Sequence, residues 1–187
     1  MEASKGGNLM GKILAFTASG RENGISTKLV HLTAKAAEAQ GHTVEYFSLT
    51  APQLQCCKGC GYCRSNDGCT INDGFFEKIV DCDGIIVGFP IYFSGVAGQG
   101  KAFLDRLYPM MDANFIPRHP GKKVIAIYAQ GDPREQAFAP AINSANYVFR
   151  MCGWKLIDSI LCAGTSSPDF IISDNLINRA KTAAEKL

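Results

Sequence analysis

Short apolar runs alternate along this chain with longer stretches whose apolar residues recur at helical spacing, and that alternation limits the fold more than any other feature. Residues 12–17 (Lys-Ile-Leu-Ala-Phe-Thr), 84–88 (Gly-Ile-Ile-Val-Gly) and 123–129 (Lys-Val-Ile-Ala-Ile-Tyr-Ala) read as strands buried on both faces. Residues 43–49 and 154–162 supply two more. Between them, residues 25–40 place Leu29, Leu32, Ala36 and Ala39 on one helical face, with Gly41 as the stop. Further helices are expected at 73–81, capped by Asp73, and at 99–111. Two more are expected at 136–151, regular from about Pro140, and at 174–187. Five strands alternating with five helices imply an α/β three-layer sandwich, a parallel sheet with helices on both faces. Right-handed crossovers favour the strand order 2-1-3-4-5.

The 187 residues fit one domain, 12–187, behind a short frayed tail at 1–11; no repeat or linker divides it. Hydrophobic residues at 47% against 19% charged supply a full core. A net charge of +2 and the lack of any basic run argue against a nucleic-acid surface. No apolar stretch approaches the ~20 residues of a membrane span, and residues 1–10 carry no signal-like hydrophobic run. Five of the eight cysteines fall between Cys56 and Cys69, in a long loop at about 50–72. In a chain with a core and no export signal, that clustering points to a reducing cytoplasm and to metal or redox chemistry.

Parallel sheets of this kind bind ligands beyond the carboxyl ends of their strands. The loop after the first strand offers Ser19, Arg21, Ser26 and Thr27 ahead of a helix N-terminus, a set suited to a terminal phosphate. Neither a Gly-x-Gly-x-x-Gly nor a Walker sequence is present, and an ordinary N-cap at Ser26 or Asn23 is the plainer alternative. After the third strand, Pro90, Ile91, Tyr92, Phe93 and Ser94 form an apolar-aromatic run suited to covering a flat ring, or to a core edge or subunit contact. Gly131 lies in the polar turn after the fourth.

The cysteine loop reads C-x2-C-x2-C-x5-C through Cys57, Cys60, Cys63 and Cys69. That spacing suits [4Fe–4S] ligation; zinc and unligated thiols remain open beside it. Cys56 falls outside the pattern, and Cys82, Cys152 and Cys162 read as small buried hydrophobes. His31, His42 and His119 suggest no triad, and no side chain reads as a catalytic acid, base or nucleophile.

Taken together, the Ser19-Gly-Arg21 and Gly24-Ile-Ser26-Thr27 segments, the Cys57 to Cys69 pattern, Gly88-Phe-Pro90-Ile-Tyr92-Phe-Ser94-Gly and Lys101-Ala-Phe-Leu-Asp105-Arg106 resemble the flavodoxin-like NAD(P)H-dependent FMN reductases. Within them the chain is most similar to the iron–sulfur flavoproteins. It departs at Gly20, where relatives often carry proline, and at Asn72-Asp73, where they often carry Asp-Asp. The resemblance implies FMN, its phosphate on Ser19, Arg21, Ser26 and Thr27. The ring would lie on Pro90, Ile91, Tyr92, Phe93 and Ser94, with Gly131 nearby. It implies [4Fe–4S] on Cys57, Cys60, Cys63 and Cys69, and a homodimer or homotetramer. The implied activity passes electrons from NAD(P)H, or from a ferredoxin-like donor, to a small acceptor such as a flavin or quinone. A non-enzymatic electron carrier and a zinc-stabilised binding module without flavin are the alternatives.

Overall fold

A computed structural model describes residues 10–48 and 54–187. The expected tail up to residue 9, the end of the second strand at Leu49, and residues 50–53 of the cysteine loop lie outside the described residues. In chain order the elements begin β1 (Lys12–Thr17), α1 (Ile25–Ala39), β2 (Thr43–Ser48), α2 (Tyr62–Ser65), α3 (Phe75–Asp81) and β3 (Gly84–Tyr92). They continue with β4 (Gly95–Val96), α4 (Gly98–Asp105), a 3-10 turn (Tyr108–Met110), β5 (Lys123–Ala129), α5 (Ala139–Met151), β6 (Lys155–Cys162) and α6 (Asp174–Ala184).

Five parallel strands lie in the order β2-β1-β3-β5-β6, the arrangement expected for this alternation, and β4 is added antiparallel to β3. Strand residues alternate between two buried faces. Ile13, Ala15, Ile86, Ile125, Ile127 and Ile160 pack with Leu29, Val30 and Ala34 of α1 and Ala180 and Ala183 of α6. Leu14, Phe16, Val87, Phe89 and Tyr128 face the other layer, built from Phe75 and Ile79 of α3, Phe103 of α4 and Phe149 of α5. There Phe16 meets Phe103 at 4.9 Å and Phe75 at 5.9 Å between ring centres, and each fully buried ring contributes about 1.5–3 kcal/mol of transfer free energy.

Three local differences from the sequence expectation have physical causes. The third strand runs on to Tyr92 instead of ending at residue 88. Its ladder to β5 continues through Pro90 opposite Ala129, and the chain then doubles back into β4. Pro90 has no N–H to give, but its carbonyl accepts the Ala97 N–H at 2.9 Å. The helix expected over 99–111 is interrupted: α4 stops at Asp105, and Pro109, which cannot extend an α-helical ladder, sits in the separate 3-10 turn. The short α2 inside the cysteine loop has no periodic signature in so few residues.

Candidate functional site

At the carboxyl edge of the sheet, the loops after β1, β3, β5 and β6 enclose a cleft of about 930 Å³, within the ~300–1,000 Å³ usual for small-molecule sites. One end is built by the turn into α1. Gly24 is the N-cap, and no side-chain bond caps this end of the helix. The Ser26 and Asn23 caps considered from sequence are not formed. Four residues into the turn, the Arg21 carbonyl ties it together by accepting from Gly24 N–H at 2.9 Å, Ser19 Oγ–H at 3.2 Å and Thr27 Oγ1–H at 3.3 Å. Ser19, Arg21 and Ser26 line the cleft beside that uncapped N-terminus. Backbone dipole, hydroxyls and guanidinium thus converge where an anion would be stabilised.

The other end is apolar. Pro90, Ile91, Tyr92, Phe93 and Phe138 line it, with Tyr92 half-exposed and Phe93 fully exposed. Phe93 and Ser94 occupy the left-handed region at φ 48° and 69°, so the turn joining β3 to β4 has positive φ at both central residues. Ala129, Gly131, Asp132, Thr165 and Ser166 close the cleft from the β5 and β6 loops. Gln130, fully buried, holds the first of those loops by donating Nε2–H to Asp132 O at 3.0 Å and Arg134 O at 2.8 Å. The side-chain bond from Arg134 holds the Asp132 carboxyl down to about 2, so this wall is ionised at neutral pH but carries its own counter-charge. An anion-binding end joined to an aromatic wall suits a phosphorylated flat ring, and the donors present fit FMN.

A second, smaller cavity of about 250 Å³ is lined by Cys57, Cys60, Cys63 and Cys69 together with Arg106, Tyr108 and Pro109; it shares no lining residue with the cleft. Gly59 and Gly61 take left-handed φ of 64° and 74°, which lets the backbone wind tightly between cysteines. Burial, with the neighbouring Cys57, Cys60 and Cys69 adding to it, pushes the Cys63 thiol up. The bond from Thr70 lowers that of Cys60, whose sulfur lies 3.4 Å from Thr70 Oγ1. Among the described residues no three His, Cys, Asp or Glu side chains are gathered closely enough to hold a single metal ion. The four thiols share one cavity, and their donor chemistry fits a thiolate-ligated iron–sulfur group. Cys56 lies outside the cavity lining, and Cys82, Cys152 and Cys162 are buried, with burial pushing them up to about 11, 12 and 11 respectively.

Two arginines tie this loop to the body of the protein. Arg106, its side chain only 1% exposed, pairs with Asp73 through two bonds of 2.7 and 2.8 Å and donates to Gln55 O at 2.8 Å. Burial works to raise the Asp73 carboxyl, but the Arg106 guanidinium, aided by the Gln55 and Phe75 N–H groups, holds it below its ordinary value. Arg118 donates to Cys63 O at 2.8 Å and to Met111 O at 2.5 Å. His119 Nε2 lies 2.8 Å from Asp67 Oδ1, a partner that sequence proximity could not have suggested.

Of the ten sequence-selected cofactor residues, Ser19, Arg21, Ser26, Pro90, Ile91, Tyr92, Phe93 and Gly131 line the cleft. Thr27 spends its hydroxyl on the Arg21 carbonyl, and Ser94 stands exposed in the adjoining turn; neither is in the lining. Thr165 and Ser166 escaped sequence reasoning. Their signal was available: a hydroxyl-bearing loop directly after the last parallel strand. Phe138 and Ile25 carried no such signal, since an apolar residue beside a helix start usually belongs to the core.

The parallel sheet in this strand order, with a carboxyl-edge cleft of this kind, defines a flavodoxin-like α/β protein built to hold a phosphorylated ring cofactor. The chain belongs to the NADPH-dependent FMN reductase family, whose model it matches over residues 11–159, and is an FMN-dependent oxidoreductase. It is 36% identical to an iron-sulfur flavoprotein of Methanocaldococcus jannaschii over 84% of this chain and 78% of that one. An iron-sulfur flavoprotein of Methanosarcina thermophila is 28% identical over 83% of this chain and 78% of its own length. In fold it is similar to the NAD(P)H:quinone oxidoreductase of Methanothermobacter marburgensis, with a TM-score of 0.70 at 16% identity, covering 95% of this chain and 94% of that one. Among the described residues no helix is long and apolar enough to cross a membrane.

Proposed function

We propose that this protein passes electrons from NAD(P)H, or from a ferredoxin-like donor by way of a [4Fe–4S] cluster, to a small acceptor such as a flavin or quinone. The observation that carries the reading is the single cleft in which an uncapped helix N-terminus and an exposed aromatic wall face the same space. Arg21 and Ser26, with the first-turn N–H groups of α1, bind and orient the FMN phosphate, and Ser19 and Thr27 hold the turn that aims them. Pro90, Ile91, Tyr92 and Phe93 seat the ring on one side, Ser94 holds the turn beside them, and Gly131 lets the opposite backbone come close. FMN, when bound, supplies the chemistry: it takes up a hydride and gives electrons singly or in pairs. The chain's contribution is to position the ring and keep one face open to donor and acceptor, so no side chain is assigned as acid, base or nucleophile.

Cys57, Cys60, Cys63 and Cys69 are the proposed cluster ligands. The reading is supported by their common cavity, by the exclusion of Cys56 from it, and by the relatives named iron-sulfur flavoproteins. Residues 12–187 act as one domain, working in a reducing cytoplasm as a homodimer or homotetramer that covers the exposed Tyr92 and Phe93.

Protein purified without oxygen tests both cofactors in one absorption spectrum. Flavin bands with flavin released on denaturation are expected, on a broad iron–sulfur absorption matched by iron and acid-labile sulfide. A colourless sample overturns the flavin reading, and a flavin-only sample overturns the cluster. Steady-state oxidation of NADPH with a quinone or free flavin is expected, and a loaded protein that turns over neither is a carrier rather than a reductase.

A further inference from the structure

We infer that Arg106 is a positioning residue for the thiol cavity, its Nε–H held ready to donate to a sulfur of the group ligated by Cys57, Cys60, Cys63 and Cys69. This rests on the iron–sulfur reading above.

Arg106 is among the largest fully buried side chains of the described residues. Both terminal nitrogens are engaged through three of their four N–H groups: Nη1 donates to Asp73 Oδ2 and Gln55 O, and Nη2 donates to Asp73 Oδ1. The Phe75 ring lies 5.2 Å from its Cζ and packs against one face of the guanidinium. With one edge clamped, Nε is the guanidinium nitrogen left without a partner. A buried N–H that finds no acceptor loses its hydration for nothing, so such groups are rare unless a ligand completes them.

The space next to this guanidinium is the thiol cavity, whose lining includes Arg106 itself. Burial works against its charge, but the bond to Asp73 and the Asp73 charge, with the nearby Cys69 thiol adding to them, together more than offset it. Cys69 Sγ already accepts the Ile71 N–H at 3.5 Å and is a soft, extended acceptor able to take another donor. A staple that only closed the loop would need the Asp73 pair and the Gln55 bond. It would not need an unpartnered buried N–H on a residue that lines the thiol cavity.

The consequence is electronic as well as structural. An N–H donated to a cluster sulfur favours the reduced, more negative state and raises the reduction potential. Arg106 therefore sets the potential through its Nε–H, apart from its part in closing the loop.

The test uses full-length protein purified without oxygen. Arg106→Lys keeps the positive charge but replaces the planar donor with an ammonium on a shorter reach. It is expected to retain iron and sulfide while the cluster midpoint, followed by electron paramagnetic resonance during a dye-mediated titration, moves to more negative potential. The flavin midpoint stays in place. Asp73→Asn loosens the same staple without removing Nε, and is not expected to move the cluster midpoint downward. An Arg106→Lys protein with full iron and an unmoved midpoint overturns the inference and leaves the iron–sulfur reading standing. Wild-type protein without iron and sulfide overturns both. If Arg106→Lys loses its iron, the wild type decides alone: with arginine labelled with nitrogen-15 only at Nε, pulsed resonance of the reduced cluster must show a coupled nitrogen. That coupling must persist in Arg64→Lys; its absence in either protein overturns the inference.

Discussion

Single residues carry the cleft's affinity. Arg21 is exposed and free of any acidic partner among the described residues, so its guanidinium is available to a dianionic phosphate. A charge-assisted hydrogen bond of that kind contributes about 1.5–3 kcal/mol, and Arg21→Ala is expected to weaken FMN binding by about tenfold to a hundredfold. Titrating flavin-free protein with FMN and following flavin fluorescence gives the number, and an unchanged dissociation constant would remove Arg21 from the site. Ser19, Arg21 and Ser26 were legible in the sequence because a hydroxyl-rich turn between a buried strand and a helix has few uses. The Asp73–Arg106 pair was not. Asp73 reads locally as a helix cap, but the N-cap is Gly74; from one position further out Asp73 Oδ1 accepts the Phe75 N–H at 3.2 Å, and its main partner lies 33 positions along the chain.

At the scale of elements, the hairpin and the sheet-to-helix approach position the two ends of the cleft. Phe93 and Ser94 hold a turn that glycine or asparagine would occupy at less cost, and a non-glycine residue in the left-handed region costs about 1–2 kcal/mol. Ser94→Gly is therefore expected to stabilise flavin-free protein by about 1 kcal/mol, or about 2–4 °C in melting temperature. A lower melting temperature would show that the Ser94 side chain does more for the fold than its backbone costs. Gly88 has the opposite role. A Cβ there would lie 2.6 Å from Val30 Cγ2 and 3.2 Å from the Ser26 carbonyl, so only glycine lets the first turn of α1 settle on β3. Gly88→Ala is expected to cost about 1–3 kcal/mol in urea unfolding and to weaken FMN binding, because it pushes the phosphate end outward. Full stability in that variant would mean that α1 can shift at little cost.

For the whole molecule, the cysteine loop is joined to the body by buried charge, and this predicts how it responds to acid. The Asp73 carboxyl is held below its ordinary value in the folded protein. Its contribution is present in full above the pKa it has when unfolded, and fades as pH falls through the lower folded value. Breaking such a pair costs about 3–5 kcal/mol, so Asp73→Asn is expected to be destabilised near pH 7 by roughly that amount. The gap should narrow as both proteins are unfolded in urea at successively lower pH, below about 4. Parallel stability curves down to low pH would show that Asp73 is not the group responsible.

The strand order, the carboxyl-edge location of the cleft and most of the residues that line it could be read from the sequence, because period-two and helical patterning are local consequences of burial. The cysteine spacing likewise marked one group of thiols, and all four of the spaced cysteines line one cavity. Only the tertiary structure decided that β3 continues through Pro90 into a hairpin, that Thr165 and Ser166 complete the cleft, and that Arg106 and Arg118 clamp the cysteine loop. Those features are contacts between residues far apart along the chain. Their formation depends on which surfaces meet once the sheet is assembled, and no local pattern records that.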